Sequence, residues 1–330
     1  MRQVWITGPG AVEVRDVPEP QPAEGEVLVR TAYAGICGSD LHTLHRGHPW
    51  LPYPIAPGHE ASGVAGGERV YLRPAVACGE CFYCGRGRPN LCANLIGIGS
   101  HRPGAFADAF TVPAAALAPV PPGVSLAAAA MIEPLATAVH ATTVAGGVGG
   151  ATVAVLGGGS IGQCVLLAAL AAGAARVAVT DPVAAKRNLA ASLGAAAALP
   201  PADEDGIAGA LDGRPDIVFD CVASRGSLES ALRLAMRGGT VVVVGVGHGP
   251  FALTVEQIQD HEIRLAGSAM YVPGDFTAAE RLIAAGAPVD RLVTAVHPLD
   301  AAPDALRAAA AGGEVKIHLA GPAADAGGTP

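Results

Sequence analysis

The sequence predicts an α/β chain in two parts, a β-rich domain followed by a doubly wound parallel sheet. Three observations carry that reading. At 330 residues the chain is long enough for about two domains. Its first part, to about residue 125, is punctuated by Pro and Gly and broken into short Val-rich runs. From residue 151 onward, short β-branched runs alternate with alanine- and leucine-rich stretches, the pattern of βαβ units.

Taken in order, residues 12–14 and 27–31 read as strands of the first part. Thr152–Leu156 reads as a short buried strand, followed by a glycine turn and a helix to about residue 172. Arg176–Thr180 is the next strand and ends at Asp181. Residues 184–193 are helical, 216–220 a strand, 228–236 a helix and 240–244 a strand. Residues 263–268 give a further strand and 277–285 a helix. The Gly/Ala/Pro-rich tail, 321–330, is expected to fray. There is no internal repeat.

Composition narrows the function classes. The chain is 51% hydrophobic and 15% charged, against a usual charged share of about 25%. Mean hydropathy is +0.39. Disorder requires the opposite composition. A net charge of −8, a pI of 5.6 and the lack of a basic cluster argue against a nucleic-acid partner. Between Glu133 and Arg176 there is no Asp, Glu, Lys or Arg. That gap invites a membrane reading, but glycines interrupt it throughout. Its longest helix-compatible piece, 163–175, falls short of the roughly 20 apolar residues a span needs. The first ten residues carry one charge and no apolar run, so no secretory signal is read there. The expectation is a soluble cytoplasmic protein without a membrane partner.

Seven cysteines are present, four of them spaced Cys78-x2-Cys81-x2-Cys84-x7-Cys92. In a long chain read as cytoplasmic, a disulfide framework is disfavoured. Four closely spaced thiolates suit a closed tetrahedral zinc site. An iron–sulfur cluster competes for such a run, and the wider last spacing favours zinc. Cys164 and Cys221 read as small buried hydrophobes. A second constellation joins Cys37 with His59 and Glu60. Its mix of soft, borderline and hard ligands is the kind that leaves a coordination position open for chemistry.

Gly157-x-Gly159-x-x-Gly162 follows a strand and opens a helix with Ser160 and Ile161, and Asp181 ends the next strand 19 residues after Gly162. This is the context a dinucleotide fingerprint requires. The glycines permit the tight turn, the approach of a pyrophosphate and close helix packing; the helix N-terminus offers N–H donors to the phosphates. Asp181 would accept from ribose hydroxyls and repel a 2′-phosphate, favouring NAD, while Lys186 and Arg187 keep NADP open.

These residues together resemble the zinc-dependent medium-chain alcohol dehydrogenase family, from about residue 27 to 319. The most specific elements are Gly35-Ile-Cys-Gly-Ser-Asp40, Gly58-His-Glu60, the four-cysteine lobe, Glu133-Pro-Leu-Ala136 and the glycine turn. The polyol (sorbitol-like) and threonine dehydrogenase branch is the most similar, because Glu133 stands where liver-type members have a third zinc cysteine. The resemblance implies a GroES-like β-rich catalytic domain, residues 1–137 and 270–330, and a Rossmann NAD-binding domain, 138–269. It implies that Cys37 and His59 bind catalytic zinc with Glu60 or Glu133 as the remaining ligand, and that Cys78, Cys81, Cys84 and Cys92 bind structural zinc. Ser39 and His42 match a proton relay. Thr137 matches a residue beside the nicotinamide, Lys186 one near the adenosine ribose, and Val246, Ser268 and Met270 segments along the nicotinamide half. The family is commonly dimeric or tetrameric, so a homodimer or homotetramer is expected.

The sequence also departs from the family. The stretch 63–70 is shorter than usual, so a hairpin of the first domain is trimmed. Gly38 stands where some relatives place an arginine on the pyrophosphate. The activity implied is oxidation of a secondary alcohol of a polyol, sugar or cyclitol to a ketone with NAD. L-Threonine 3-dehydrogenase is the alternative substrate reading. A zinc-free quinone or enoyl reductase and a catalytically silent NAD-binding protein are alternatives from other classes. His45, His48, Trp50, Tyr53, Phe106 and Tyr271 are candidate substrate-facing residues, and none clearly supplies a cation for an amino-acid carboxylate.

Overall fold

In the computed structural model, which describes residues 1–48, 51–201, 203–247 and 250–327, the chain opens with a hairpin of β1 (Arg2–Gly8) and β2 (Ala11–Asp16). The long strand β3 (Glu26–Gly35) and helix α1 (Gly38–Arg46) follow. Then come β4 (Glu60–Ala65), β5 (Glu68–Leu72), and the two-residue strands β6 (Ala75–Val76) and β7 (Ile96–Gly97) that bracket the cysteine lobe. β8 (Ala109–Pro113), β9 (Leu117–Pro119), helix α2 (Leu126–Ala129) and helix α3 (Ile132–Val144) lead onward. The alternating part runs β10 (Thr152–Leu156), α4 (Ser160–Ala171), β11 (Arg176–Thr180), α5 (Ala184–Ser192), β12 (Ala197–Leu199), α6 (Glu204–Leu211), β13 (Ile217–Asp220), α7 (Arg225–Leu234), β14 (Thr240–Val243), α8 (Val255–Asp260), β15 (Arg264–Gly267) and α9 (Pro273–Ala284). The chain ends with β16 (Val293–Pro298), α10 (Ala302–Ala311) and β17 (Lys316–Ala320).

Two units result, Met1–Glu133 with Ile283–Pro330, and Pro134–Leu282. The sequence placed these boundaries at 137/138 and 269/270. The second falls later in the structure because α9 stays with the second unit: Asp275 in its first turn meets His140 of α3 at 2.8 Å.

The first unit is built on a seven-stranded sheet of order β16-β17-β3-β4-β5-β9, with β8 also pairing β3. β3 is its hub. Its first half pairs β8, and its last residues lie between β4 and β17, with Gly35 opposite both Glu60 and His318. Valines, alanines and leucines of these strands pack with Phe106, Phe110 and the α10 residues Ala302, Ala305 and Leu306 into one buried core. The shortened stretch predicted between residues 63 and 70 is a tight hairpin. Ala65 pairs Glu68, and the two-residue turn is Gly66-Gly67, both at positive φ (57° and 88°). Such turns need two residues free to adopt that region, and their twist matches the strands.

The second unit is a six-stranded parallel sheet of order β12-β11-β10-β13-β14-β15. Strand order reverses between β10 and β13, so ligand binding is favoured at the carboxyl ends of these strands. β10 and β13 are almost wholly buried, as a parallel strand covered on both faces must be. The uncharged stretch after Glu133 is therefore α3, β10 and α4. Among the described residues, no helix is long and apolar enough to cross a membrane. Helix α7 begins three residues before its predicted start, since Ser224 caps it through Oγ to the Ser227 N–H (3.1 Å). The tail does not fray from residue 321: Gly321 and Ala323 donate to the carbonyls of Ala32 and Thr31, pinning 321–323 to β3.

Candidate active site and zinc centres

The antiparallel register of β3 and β4 sets the site. Cys37 lies two residues past the end of β3, Glu60 opens β4 directly across from Gly35, and His59 immediately precedes it. One donor atom from each of Cys37, His59 and Glu60 lies within 4.8 Å of the others. Glu60 is fully buried, and its Oε1 has no hydrogen-bond partner, an arrangement that fits a metal ligand. A thiolate, an imidazole and a carboxylate match a catalytic zinc site that keeps one position open. Glu133, near the start of α3, is buried but does not join this trio; its charge acts on His59.

Helix α1 starts at the site. Asp40 in its first turn accepts from the Cys37 N–H at 2.9 Å, and its other oxygen lies 3.7 Å from His59 Nδ1. Burial disfavours a charged His59, yet Asp40 and Cys37 beside it carry its pKa well above the ordinary histidine value. Zinc would displace that proton on binding. Burial pushes the Asp40 carboxyl up despite His59. Burial likewise opposes a charged Glu60, but the Lys316 ammonium, 2.5 Å from Glu60 Oε2, holds its pKa below the usual carboxylate value. Ser39 Oγ lies 3.5 Å from His59 Nε2. Half-buried His42 is three residues further along, so the two share a helix face.

Cys78, Cys81, Cys84 and Cys92 form a separate cluster. Their Sγ atoms stand 3.6 Å (Cys81–Cys84), 3.9 Å (Cys81–Cys92) and 3.5 Å (Cys78–Cys92) apart. A tetrahedron with Zn–S bonds of about 2.3 Å has edges of about 3.8 Å. The cluster therefore fits zinc, and all four cysteines are free of disulfides. Backbone N–H groups of Cys84 and Ala93 bring the Cys81 thiol down to about 6, while desolvation and the neighbouring sulfurs push Cys84 up to about 12.

In the second unit the fingerprint has the form its chemistry requires. Gly157 has φ +95°, and a Cβ at Gly162 would sit 1.7 Å from the Gly157 carbonyl oxygen. A Cβ at Gly159, the residue before α4, would meet nothing within 4 Å. Ser160 Oγ, in the first turn of α4, is buried without a partner. Open space, an orphaned hydroxyl and the N-terminus of a 12-residue helix fit a pyrophosphate. Asp181 is buried at the end of β11, where its two oxygens accept from the N–H groups of Gly158 (2.9 Å) and Val183 (2.8 Å). Arg187 donates to the carbonyls of Asp181 and Pro182. Val246 and Ser268 follow the carboxyl ends of β14 and β15, Met270 has positive φ, and Thr137 lies on α3.

Some candidates move elsewhere. Phe106 and Tyr271, read as substrate-facing, are buried side chains: Phe106 lies in the first unit's core, and Tyr271 packs edge-on against Phe276 at 4.5 Å. Their apolar area is better buried than presented to a hydroxylated ligand. The Tyr53 hydroxyl donates to the Thr43 carbonyl, and His48 stands edge-on to His101. Trp50 lies outside the described residues. Sequence reasoning missed Asp40, Gln163, Lys316 and His318. Gln163 Nε2 joins the carbonyls of Gly158 and Lys186, locking turn to helix. Lys316 and His318 left a signal, two polar residues at alternate positions of an otherwise apolar run, 315–320.

Residues 23–122 match the alcohol dehydrogenase GroES-like domain and residues 160–285 the zinc-binding dehydrogenase domain. With the two thiolate-bearing sites and the glycine turn, this makes the protein a zinc- and NAD(P)-dependent dehydrogenase. The chain is 34% identical over 296 residues to a 2-dehydro-3-deoxy-L-galactonate 5-dehydrogenase of Pseudoalteromonas atlantica, covering 84% of this chain and 86% of that protein. It is 30% identical to a sorbitol dehydrogenase of Macaca fascicularis over 95% of this chain and 94% of that one. A zinc-binding dehydrogenase from Sinorhizobium meliloti, solved bound to NADP, superposes with a TM-score of 0.90 at 34% identity, covering 97% and 98% of the two chains. The chain belongs to the zinc-dependent medium-chain alcohol dehydrogenase family, in its polyol branch.

Proposed function

We propose that the protein oxidises a secondary alcohol of a polyhydroxylated substrate (a polyol, sugar, cyclitol or sugar acid) to the ketone, with NAD as hydride acceptor. The observation that carries this is the convergence of Cys37, His59 and Glu60 at the head of the helix bearing Ser39 and His42. Names of relatives support the substrate class: a deoxygalactonate and a sorbitol dehydrogenase.

Cys37, His59 and Glu60 would hold zinc, with Glu60 rather than Glu133 as the third ligand. When bound, zinc would supply a Lewis acid for the substrate hydroxyl and the nicotinamide cofactor a hydride acceptor. Asp40 fixes the His59 ring and the Cys37 backbone together. Ser39 accepts the hydroxyl proton and His42 passes it to solvent, a task suited to a group with an ordinary pKa of about 6.5. Each turnover thus yields ketone, reduced cofactor and one proton. Cys78, Cys81, Cys84 and Cys92 would hold structural zinc.

The glycine turn with Ser160, Ile161 and Asp181 would bind the cofactor, with Lys186 near its adenosine ribose and Thr137, Val246, Ser268 and Met270 along its nicotinamide half. Buried Asp181 favours NAD, since Arg187 is engaged by two carbonyls instead of facing a 2′-phosphate. We also read the protein as a cytoplasmic homo-oligomer; β15, an edge strand of its sheet, supports pairing between copies. An NADH absorbance assay over polyols, cyclitols, hexonates and L-threonine, with NAD and NADP in parallel, tests the proposal. Turnover of a polyol or hexonate with NAD is expected; turnover of L-threonine alone, or of none, would overturn it.

A further inference from the structure

We propose that Lys316 is a positioning residue for the catalytic metal: it holds one oxygen of Glu60, leaving the carboxylate a single oxygen for zinc and keeping a coordination position open for substrate. This rests on the reading of Cys37, His59 and Glu60 as the zinc ligands.

Among 21 Lys and Arg residues the chain has only two lysines, Lys186 and Lys316. Lys316 is 3% exposed on β17, an interior strand of the seven-stranded sheet. A lysine is almost never buried so completely unless paired. Its ammonium donates to Glu60 and to Ile36. Nζ lies 2.5 Å from Glu60 Oε2 and 3.0 Å from the carbonyl oxygen of Ile36. Ile36 precedes Cys37 and Glu60 follows His59. One cation thus ties the backbone beside one ligand to the side chain beside another.

The sheet makes this reach possible. Glu60 and His318 face one another across Gly35. A Cβ at Gly35 would fall 2.2 Å from Glu60 Oε2, so only glycine leaves the carboxylate room to cross β3. His318 has no hydrogen-bond partner at either ring nitrogen and does not compete for the carboxylate.

The consequence is a division of labour between the two oxygens. Oε2 is held by Lys316, and Oε1 is buried without a partner. A carboxylate with both oxygens available can chelate, and zinc accepts a fifth ligand readily. Chelation would occupy the position substrate needs. A compact ammonium suits the task, since a guanidinium is broader and prefers bidentate pairing.

The test uses holoenzyme with cobalt(II) exchanged into the catalytic site, for the wild type, Lys316→Met and Lys316→Gln. Both variants are expected to keep their four-cysteine zinc. Both should shift the cobalt visible spectrum from the intense bands of four-coordination toward weaker five-coordinate bands. They should also lose about ten- to a hundredfold in catalytic-metal affinity or activity, as outer-shell changes do. A folded variant with the wild-type spectrum and metal affinity would overturn the proposal. Should neither variant fold, the crystal structure of zinc-loaded wild type decides. One Glu60 oxygen at about 2.0–2.2 Å from zinc, with the other on Lys316, is expected. Both oxygens on zinc, or neither, would overturn the proposal alone. Absence of metal at Cys37 and His59 would overturn the site reading itself.

Discussion

His318 is fully buried on β17 with both ring nitrogens unpartnered, and burial, reinforced by the nearby Lys316 ammonium, pushes its pKa down to about 3. In the unfolded chain the value is about 6.5. Between those two pH values the unfolded state binds the proton and the folded state does not. Stability from this group is therefore intact above about pH 6.5 and lost progressively as pH falls toward about 3. At about pH 5 the loss is RT ln[(1 + 10^1.5)/(1 + 10^−2)], about 2 kcal/mol. An unfolding entropy of about 2.1 cal/mol/K per residue over the chain converts this to about 3 °C in Tm. His318→Met fills a similar volume and cannot titrate. Scanning calorimetry of both proteins at about pH 7.5 and about pH 5, at one scan rate, should show the variant's Tm falling by about 3 °C less than the wild type's. Equal falls would refute the buried, neutral imidazole.

Other substitutions probe the remaining parts. Gly35→Ala places a Cβ 2.2 Å from Glu60 Oε2 and 3.3 Å from its Cβ; elemental analysis should find catalytic zinc lost and four-cysteine zinc kept, and unchanged zinc content would count against the Glu60 assignment. Cys84→Ser should remove one zinc per chain and lower Tm while turnover persists, because a structural site contributes folding energy. Lost turnover with stability and NAD binding intact would show that the lobe is not merely structural. Asp181→Ser removes the carboxylate proposed to meet the cofactor's ribose and releases the Gly158 and Val183 N–H groups; the NAD-to-NADP ratio of kcat/KM should fall about tenfold or more, and an unchanged ratio would remove Asp181 from cofactor choice.

The cofactor unit was legible because its signals are local. The glycine turn, the β-branched runs and Asp181 all lie within one stretch; Gly157 and Gly162 answer contacts that a Cβ would break, and Gly159 leaves open space at the head of α4. The first unit was less so, because its sheet joins distant segments: β3 pairs β17, bringing Gly35 to His318. No local pattern announces that pairing, and so Lys316 was missed although Glu60 was named. Helix α3 escaped notice because, from Pro134 on, it carries no charge to mark a polar face. The sequence left Glu60 and Glu133 as rival ligands; which carboxylate faces Cys37 depends on strand register, and β3–β4 pairing brings Glu60 there. Phe106 and Tyr271 misled because an aromatic near a site motif serves a core as readily as a ligand.

The most direct test of the central claim is NADH formation from a polyol or hexonate by the wild type and by Cys37→Ser, with zinc counted in both. Two zinc ions per wild-type chain and steady NADH production are expected. Cys37→Ser should give a folded protein that keeps its four-cysteine zinc and is silent. Wild-type turnover in that variant would contradict the claim that chemistry takes place at Cys37, His59 and Glu60.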